Sequence, residues 1–478
     1  MTAAGPGADP ALLLERQRAA QLAGGPPDAA LRRDRLGRAL DLLIAHQPEL
    51  CEALAHDFGR RPAALTRLMD LYPAVHALRH ARRNVTRWMV SQRVRTGWPL
   101  GLPGTRSEVR YQPLGVIGVI SPWNYPLALT FGPLAGILAA GNRCLLKPSE
   151  LTPATSELLA QLIARRFDPG ELAVVNGGPA VAEAFSRLPF DHLLFTGSTA
   201  VGRRVMIAAA DQLVPVTLEL GGKCPVILGR TADLSHAVDR VLLLKLANAG
   251  QTCLAPDYLC VPRESLDSVV RLAEAWVRRA YPALADDPDY TSLINTRHAG
   301  RALELLRDAR AKGGRTLVLG GAREPEDVGE RCIPPTLILD ATPDMRAMRE
   351  EIFAPILPVL PYERLEEAIT EVRTHAPPLA LYYFGHDRGE LGRILDLTRS
   401  GAVTVNDVAS HFLVEDLPFG GVGPSGMGAY HGERGFRQFS HARAVFRQTR
   451  IDVAGLLGMR PPYGARLARS LRLLIGRR

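Results

Sequence analysis

The chain has 478 residues, 46% of them apolar and 22% charged, with a formal net charge of +9. That length exceeds one simple core and points to two or three domains of an ordinary globular enzyme. The basic excess is largely arginine and comes without zinc-finger spacing or an aromatic RNA-binding signature, so it reads as a solvated surface and argues against a nucleic-acid-binding protein.

Six cysteines (Cys51, Cys144, Cys224, Cys253, Cys260, Cys332) stand without framework spacing. That suits a reducing compartment, here the cytoplasm. The first ten residues lack the basic and apolar regions of a secretory signal. Residues 11–55 read as helix, with Leu36, Leu40, Leu43, Ile44 and Leu50 at helical spacing, and a second helix is expected over 63–89. Gly97, Pro99, Gly101, Pro103 and Gly104 carry the turn chemistry of a protruding hairpin. Residues 111–142 are uncharged, but Pro113, Pro122, Pro126 and Pro133 divide them. A strand over 116–120, a loop over 121–126 and a helix over 127–140 fit better than a membrane span.

Strands then alternate with helices: strands at 143–147, 172–176, 192–196 and 214–220, helices at 155–166, 180–187 and 201–211. This is the pattern of a parallel, doubly wound α/β sheet. A second α/β segment covers 221–403, with strands near 224–228, 317–319, 335–339 and 379–385. Residues 418–428 are glycine-rich with no helix pattern after them, which suits a structural loop. The tail, 462–478, places Leu467, Leu471, Leu474 and Ile475 on one helical face among Arg466, Arg469, Arg472, Arg477 and Arg478. It is too short to span a bilayer; a basic amphipathic helix suits a membrane surface, and docking on the body or on a second subunit is the plainer reading.

The chemistry centres on residues 248–258. Cys253 sits among the small and polar Gly250, Gln251, Thr252 and Ala255, open to a substrate. Upstream, Glu219 ends an apolar run. A thiol with a carboxylate in reach proposes covalent catalysis. Gly197 and Gly202, after a strand and at a helix start, admit a pyrophosphate. Their spacing is G-x-x-x-x-G, without a Walker lysine, and an ordinary capped turn accounts for it equally well. Lys147 and Glu150 end another strand, where ligands of parallel sheets sit, or form a surface pair. The Asn124 amide suits an oxyanion, or a turn. What carries the argument is that these features occur together and in one order.

That joint pattern resembles the aldehyde dehydrogenase superfamily over roughly residues 31–445. Leu218-Glu-Leu-Gly-Gly-Lys223 is similar to the family's glutamate motif and Asn248-Ala-Gly-Gln-Thr-Cys253 to its cysteine motif. Pro122-Trp-Asn-Tyr-Pro126, Lys147-Pro-Ser-Glu150, Phe195-Thr-Gly-Ser-Thr199, Glu350-Glu-Ile-Phe-Ala-Pro355 and Pro418-Phe-Gly-Gly-Val-Gly423 follow in the family's order. Cys253-Leu-Ala-Pro-Asp-Tyr258 and Gly426-Met-Gly-Ala-Tyr-His-Gly432 resemble the class 3 branch, and the flanks resemble its bacterial coniferyl aldehyde dehydrogenases. Ala354 stands where the family usually has glycine.

The resemblance implies two doubly wound parallel-sheet domains and a small oligomerisation element. The NAD(P)-binding domain would take 1–91 and 113–219, the bridging element 92–112 and 404–445, the catalytic domain 220–403, and the basic tail 446–478. It implies Cys253 as nucleophile, Glu219 as the base for deacylation and Asn124 as an oxyanion donor, with no metal. Lys147 and Glu150 would contact the adenosine ribose, Gly197, Ser198 and Gly202 the pyrophosphate, and Glu351 and Phe353 the nicotinamide side. The expected cofactor is NAD, favoured by the acid at 150, with NADP also admitted. The expected partners are a small aldehyde, aromatic or aliphatic, and a second copy in a homodimer. Trp123, Tyr125, His411 and Phe412 are candidates for the substrate channel. A CoA-acylating enzyme is the alternative within the fold, which Glu219 argues against. A non-catalytic binding protein is the alternative outside it, which intact Cys253, Asn124 and Glu219 argue against.

Overall fold

The computed structural model describes residues 9–101, 104–284, 287–321 and 331–476. In chain order the strands are β1 (Gln92–Val94) and β2 (Arg106–Pro113), then β3 (Val116–Ile120), β4 (Arg143–Lys147), β5 (Leu172–Val174), β6 (His192–Thr196) and β7 (Val216–Glu219). There follow β8 (Pro225–Leu228), β9 (Tyr258–Pro262), β10 (Arg315–Val318), β11 (Thr336–Leu339), β12 (Ile356–Tyr362), β13 (Ala380–Phe384) and β14 (Ala402–Val405), and last β15 (Gly426–Met427) and β16 (Ser440–Arg447). They form three sheets, ordered β15-β7-β6-β3-β4-β5, β10-β11-β12-β9-β8-β13-β14, and β1-β2-β16.

The first two sheets are parallel except at one edge each, where β15 and β10 run antiparallel. β3, β6, β8 and β9 are buried along their whole length, and β4 at all but Arg143, as expected of strands covered by helices on both faces. The hairpin expected around residues 91–104 is the β1–β2 pair, and β16 adds along its other side. Residues 404–445 thus contribute β15 to the six-stranded sheet as well as most of β16 to the small one.

Where one helix was expected over 11–55 there are three, Pro10–Gly24, Ala29–Ala45 and Gln47–Phe58. Gly25 at φ 64 and the Asp28 cap, which accepts from Leu31 N, end the first and start the second. The uncharged stretch resolves as expected into β3, a loop and the helix Ala128–Ala140. The tail helix is Ala465–Ile475. No helix among the described residues is long and apolar enough to cross a membrane.

Candidate active site

The register of the first sheet brings the predicted residues to one edge. Ile120 lies opposite both Lys147 and Phe195, and Thr196 lies opposite Glu219. The C-terminal ends of β3, β4, β6 and β7 therefore line up. Asn124 follows the first, Lys147 ends the second, Gly197 and Ser198 follow the third, and Glu219 ends the fourth.

Cys253 reaches this edge on a loop with unusual backbone. Asn248, Ala249 and Gly250 are all left-handed, at φ 51, 52 and 74. Two of the three carry side chains that disfavour that region, so the loop is held by its surroundings. A Cβ on Gly250 would lie 2.5 Å from the Ala354 carbonyl, which makes glycine obligatory there. Buried Gln251 fastens the loop: its amide donates to the carbonyls of Asn248 (2.9 Å) and Ser292 (3.2 Å), and its Oε1 accepts from Ile294 N (2.9 Å).

Cys253, partly exposed, lies close enough to Glu219 for the two side chains to shift each other's ionisation. Glu219 is buried, and its Oε1 has no hydrogen-bond partner among the described residues. Burial, followed by the charge of Glu351, pushes the Glu219 carboxyl up to about 8, while the thiol hydrogen bond pulls the other way. Burial also pushes the Cys253 thiol up, with the charges of Glu219 and Glu351 adding to it. Asn124 is buried, and its side-chain amide donates to the Gln251 carbonyl at 3.1 Å. An amide NH2 has two hydrogens, so one remains for a ligand beside the thiol.

Two buried ion pairs that were not expected from the sequence hold these parts. Arg61 and Asp70 meet at 3.3 Å with both side chains fully buried. Arg61 donates to the Asn124 carbonyl at 2.7 Å, and Asp70 accepts from Leu127 N (3.0 Å) and Ala128 N (2.6 Å). The pair thus fixes the loop that carries Asn124. Burial pushes the Asp70 carboxyl up to about 6, against the pull of Arg61 and the two amides. Lys223, from the glutamate motif, pairs with Asp257, from the cysteine motif. Lys223 also donates to the carbonyls of Ala347 (2.7 Å) and Glu350 (3.1 Å), and Asp257 accepts from Ile352 N (3.0 Å). Arg301 completes the clamp on the Ile352 carbonyl at 2.8 Å.

That clamp places Glu351 and Phe353. The Glu351 carboxylate lies where a side chain on Gly221 would project, and burial pushes it up to about 8. Phe353 is left-handed at φ 52, with its ring edge-on to Trp123 at 5.6 Å. Ala354 needs no positive φ, so alanine fits where the family usually has glycine.

Further along the edge, Lys147 is buried and meets Glu150 Oε2 at 3.2 Å, with Glu150 39% exposed. Ser198 caps the helix Thr199–Ala210, and a Cβ on Gly202 would meet Leu220 at 2.7 Å, so glycine lets this helix lie close to the sheet. A helix N-terminus facing a buried lysine and a half-exposed carboxylate suits pyrophosphate and ribose. The residues present therefore fit a dinucleotide, whose nicotinamide end would come to Glu351, Phe353 and Cys253. Among the channel candidates, Tyr125 is committed to support: its hydroxyl bonds Thr252 Oγ1 at 2.8 Å and its ring lies under Arg61. No cluster able to hold a metal ion occurs among the described residues.

A dinucleotide-type parallel sheet facing a thiol and a buried carboxylate defines the class, a nicotinamide-linked dehydrogenase with a cysteine at its centre. Residues 15–445 match the aldehyde dehydrogenase family, and the chain belongs to it. Its activity is the NAD(P)-dependent oxidation of an aldehyde to the carboxylic acid. It is 52% identical over 461 residues to the probable coniferyl aldehyde dehydrogenase of Caulobacter vibrioides, covering 96% of this chain and 95% of the relative. It is 50% identical to the coniferyl aldehyde dehydrogenase of Pseudomonas sp. strain HR199, covering 97% and 95%. Among solved structures, the substrate-bound state of Staphylococcus aureus AldH superposes with a TM-score of 0.90 at 34% identity, covering 97% of this chain and 99% of that one. A Mycobacterium tuberculosis aldehyde dehydrogenase complexed with NAD+ superposes at 0.82 and 29% identity, covering 92% and 90%.

Proposed function

We propose that the chain oxidises coniferaldehyde-type aromatic aldehydes to their acids through a thioester on Cys253. The observation that supports the mechanism is that three separate segments meet: Glu219 lies near Cys253, and the Asn124 amide is tied to the carbonyl of Gln251 on the cysteine loop. The thiol, protonated at rest, loses its proton to solvent as sulfur attacks the aldehyde carbon, which leaves Glu219 for the deacylation step. The free hydrogen of the Asn124 amide and the Cys253 backbone N–H hold the oxyanion, and each such donor is worth about 3 kcal/mol in the transition state. NAD(P)+, when bound, supplies the hydride acceptor that makes oxidation to the thioester possible. Glu219, in its ionised form, removes a proton from water as it attacks the thioester, and the acid leaves with the thiol restored. A carboxylate in this position supports hydrolysis over transfer to CoA.

Lys147 and Glu150 hold the adenosine ribose, Gly197, Ser198 and Gly202 border the pyrophosphate, and Glu351 and Phe353 place the nicotinamide. The acid at 150 favours NAD, because a 2′-phosphate would meet a like charge. Residues 1–91 and 113–219 act as the cofactor domain, 220–403 as the catalytic domain, and 92–112 with 404–445 as the bridging element of a homodimer. Six cysteines outside any disulfide support a cytoplasmic site. The tail helix, with Leu471 39% and Ile475 79% exposed beside its arginines, supports peripheral contact with anionic lipid. Equal liposome binding by full-length and Pro462-truncated protein would remove that contact. The identity to the two coniferyl enzymes supports the aromatic substrate. The test is reduction of NAD and NADP with coniferaldehyde against hexanal, with Cys253→Ala as control. An aromatic preference lost in the variant supports the assignment; an aliphatic preference overturns the substrate, and activity in the variant overturns the nucleophile.

A further inference from the structure

Four buried polar atoms without hydrogen-bond partners among the described residues gather in one neighbourhood of the chain: Tyr430 Oη, His431 Nδ1, His411 Nε2 and Trp88 Nε1. A folded protein tolerates few such atoms, since each costs its full desolvation, and a concentration of them marks a place built for a hydrogen-bonding guest. Tyr430, His431 and His411 are 1%, 5% and 8% exposed. Their rings are joined through Phe419: His431 stacks on it at 5.1 Å and His411 at 6.3 Å, and Tyr430 meets it edge-on at 5.5 Å. Phe412, partly exposed, lies edge-on to both Phe419 (4.8 Å) and His431 (5.0 Å) and forms the outer wall.

The cluster hangs from the segment that pairs with the Glu219 strand: Gly426 lies opposite Glu219, and Phe419 bridges to Tyr430. Burial pushes the Tyr430 hydroxyl far up, and the next causes are the charges of Glu219 and Cys253, then Glu415. Both imidazoles are held neutral by burial, at about 3 for His431 and about 4 for His411, so each keeps one donor and one acceptor nitrogen. His411 spends Nδ1 on Thr404 Oγ1 at 2.7 Å, which leaves Nε2 for another group.

The backbone adds an independent sign. His431 sits at φ 104, ψ 140, a region that belongs almost wholly to glycine. Ala409, beside His411, is also left-handed at φ 55. A histidine held in a glycine conformation, buried and with a ring nitrogen unpaired, is costly to the fold.

We propose that Tyr430, His431 and His411 form the hydrogen-bonding end of the aldehyde channel and select aldehydes with a hydroxyl or ether oxygen on a distant aromatic ring. Such an oxygen accepts from one ring nitrogen or from Tyr430 Oη, a phenolic hydrogen goes to the remaining lone pair, and the substrate ring lies against Phe412. The proposal rests on the aromatic-substrate assignment above and adds the residues that enforce it.

The test compares kcat/KM for 4-hydroxy-3-methoxycinnamaldehyde with that for unsubstituted cinnamaldehyde. His431→Gly removes the ring and relieves the backbone, so the fold is retained; His411→Phe keeps a ring on Phe419 and removes the nitrogens. Each variant is expected to lower the ratio about tenfold, with the larger loss falling on the hydroxylated substrate. His431→Asn, which tolerates positive φ and keeps a donor, is expected to restore part of the ratio. Thermal melting should show His431→Gly at least as stable as the parent. An unchanged ratio in both variants overturns the proposal, as does equal loss on both aldehydes with a lowered melting temperature. A parent enzyme indifferent to the hydroxyl overturns this proposal and leaves the aromatic assignment to the comparison with hexanal, and a selective parent with equally selective variants also overturns this proposal alone.

Discussion

At pH 7 the carboxylate assigned to hydrolysis is mostly protonated. Burial and the neighbouring Glu351 lift Glu219 from 4.5 to about 8. Only the ionised form can take a proton from water, so its availability climbs tenfold per pH unit below the midpoint, from about a tenth at pH 7 to about nine tenths at pH 9. Steady-state turnover of a rapidly acylated aldehyde should therefore rise through a midpoint near 8. Glu219→Gln should abolish that limb while leaving a burst of NADH, with an acyl adduct on Cys253 visible by intact mass. Glu351→Gln removes a like charge and should move the midpoint down. Stopped-flow NADH fluorescence separates the burst from the steady rate. The reasoning is refuted by a steady rate that stays flat from about pH 6 to 9 while a burst is present. It is equally refuted by a limb that survives in Glu219→Gln.

Asn124→Ala should lower kcat/KM by about 10²–10³-fold with little change in melting temperature, since the lost donor acts on the transition state. A loss below tenfold would remove Asn124 from the oxyanion site. Asp70→Ala leaves Arg61 buried and unpaired and should cost about 3–5 kcal/mol in urea unfolding. It should also depress kcat/KM, because Arg61 holds the Asn124 carbonyl; a variant as stable and active as the parent would show the pair to be incidental.

The residues proposed for catalysis stood out because their chemistry is local: Glu219, Cys253 and Asn124 each stand in a short motif with a fixed order. Their supports did not. Asp70 sits in Leu-Met-Asp-Leu-Tyr, where a lone acid reads as a solvated residue, and only the fold shows it capping a helix behind Asn124. Lys223 and Asp257 lie inside the two motifs, yet their purpose, tying both to residues 347–352, depends on a pairing that spacing cannot show. The strands β9, β12 and β14 went unmarked. β12 carries Pro358 and Pro361, which lower any strand reading, but it runs between β11 and β9 inside the second sheet. Tertiary burial outweighs the local penalty there. Residues 418–428 were read as a structural loop, and the pairing of their end as β15 with β7 was invisible. Tyr430 and His431 were seen only as marks of a subfamily.

That last strand pairing bears on how the protein is made. Gly426 lies opposite Glu219, and Asn142, beside β4, donates to the carbonyl of Phe439. The strand bearing the base is thus completed by residues that leave the ribosome near the end of synthesis. Nascent chains fold largely from the N-terminus as they emerge, so both sheets can assemble while this edge is still open. Chains interrupted before residue 426 would carry the nucleophile, the base and the oxyanion donor and still lack the strand that seats the base. A cell would then hold truncated products with the full set of reactive groups but no working centre, and a free thiol is kept from aldehyde chemistry until the chain is nearly whole.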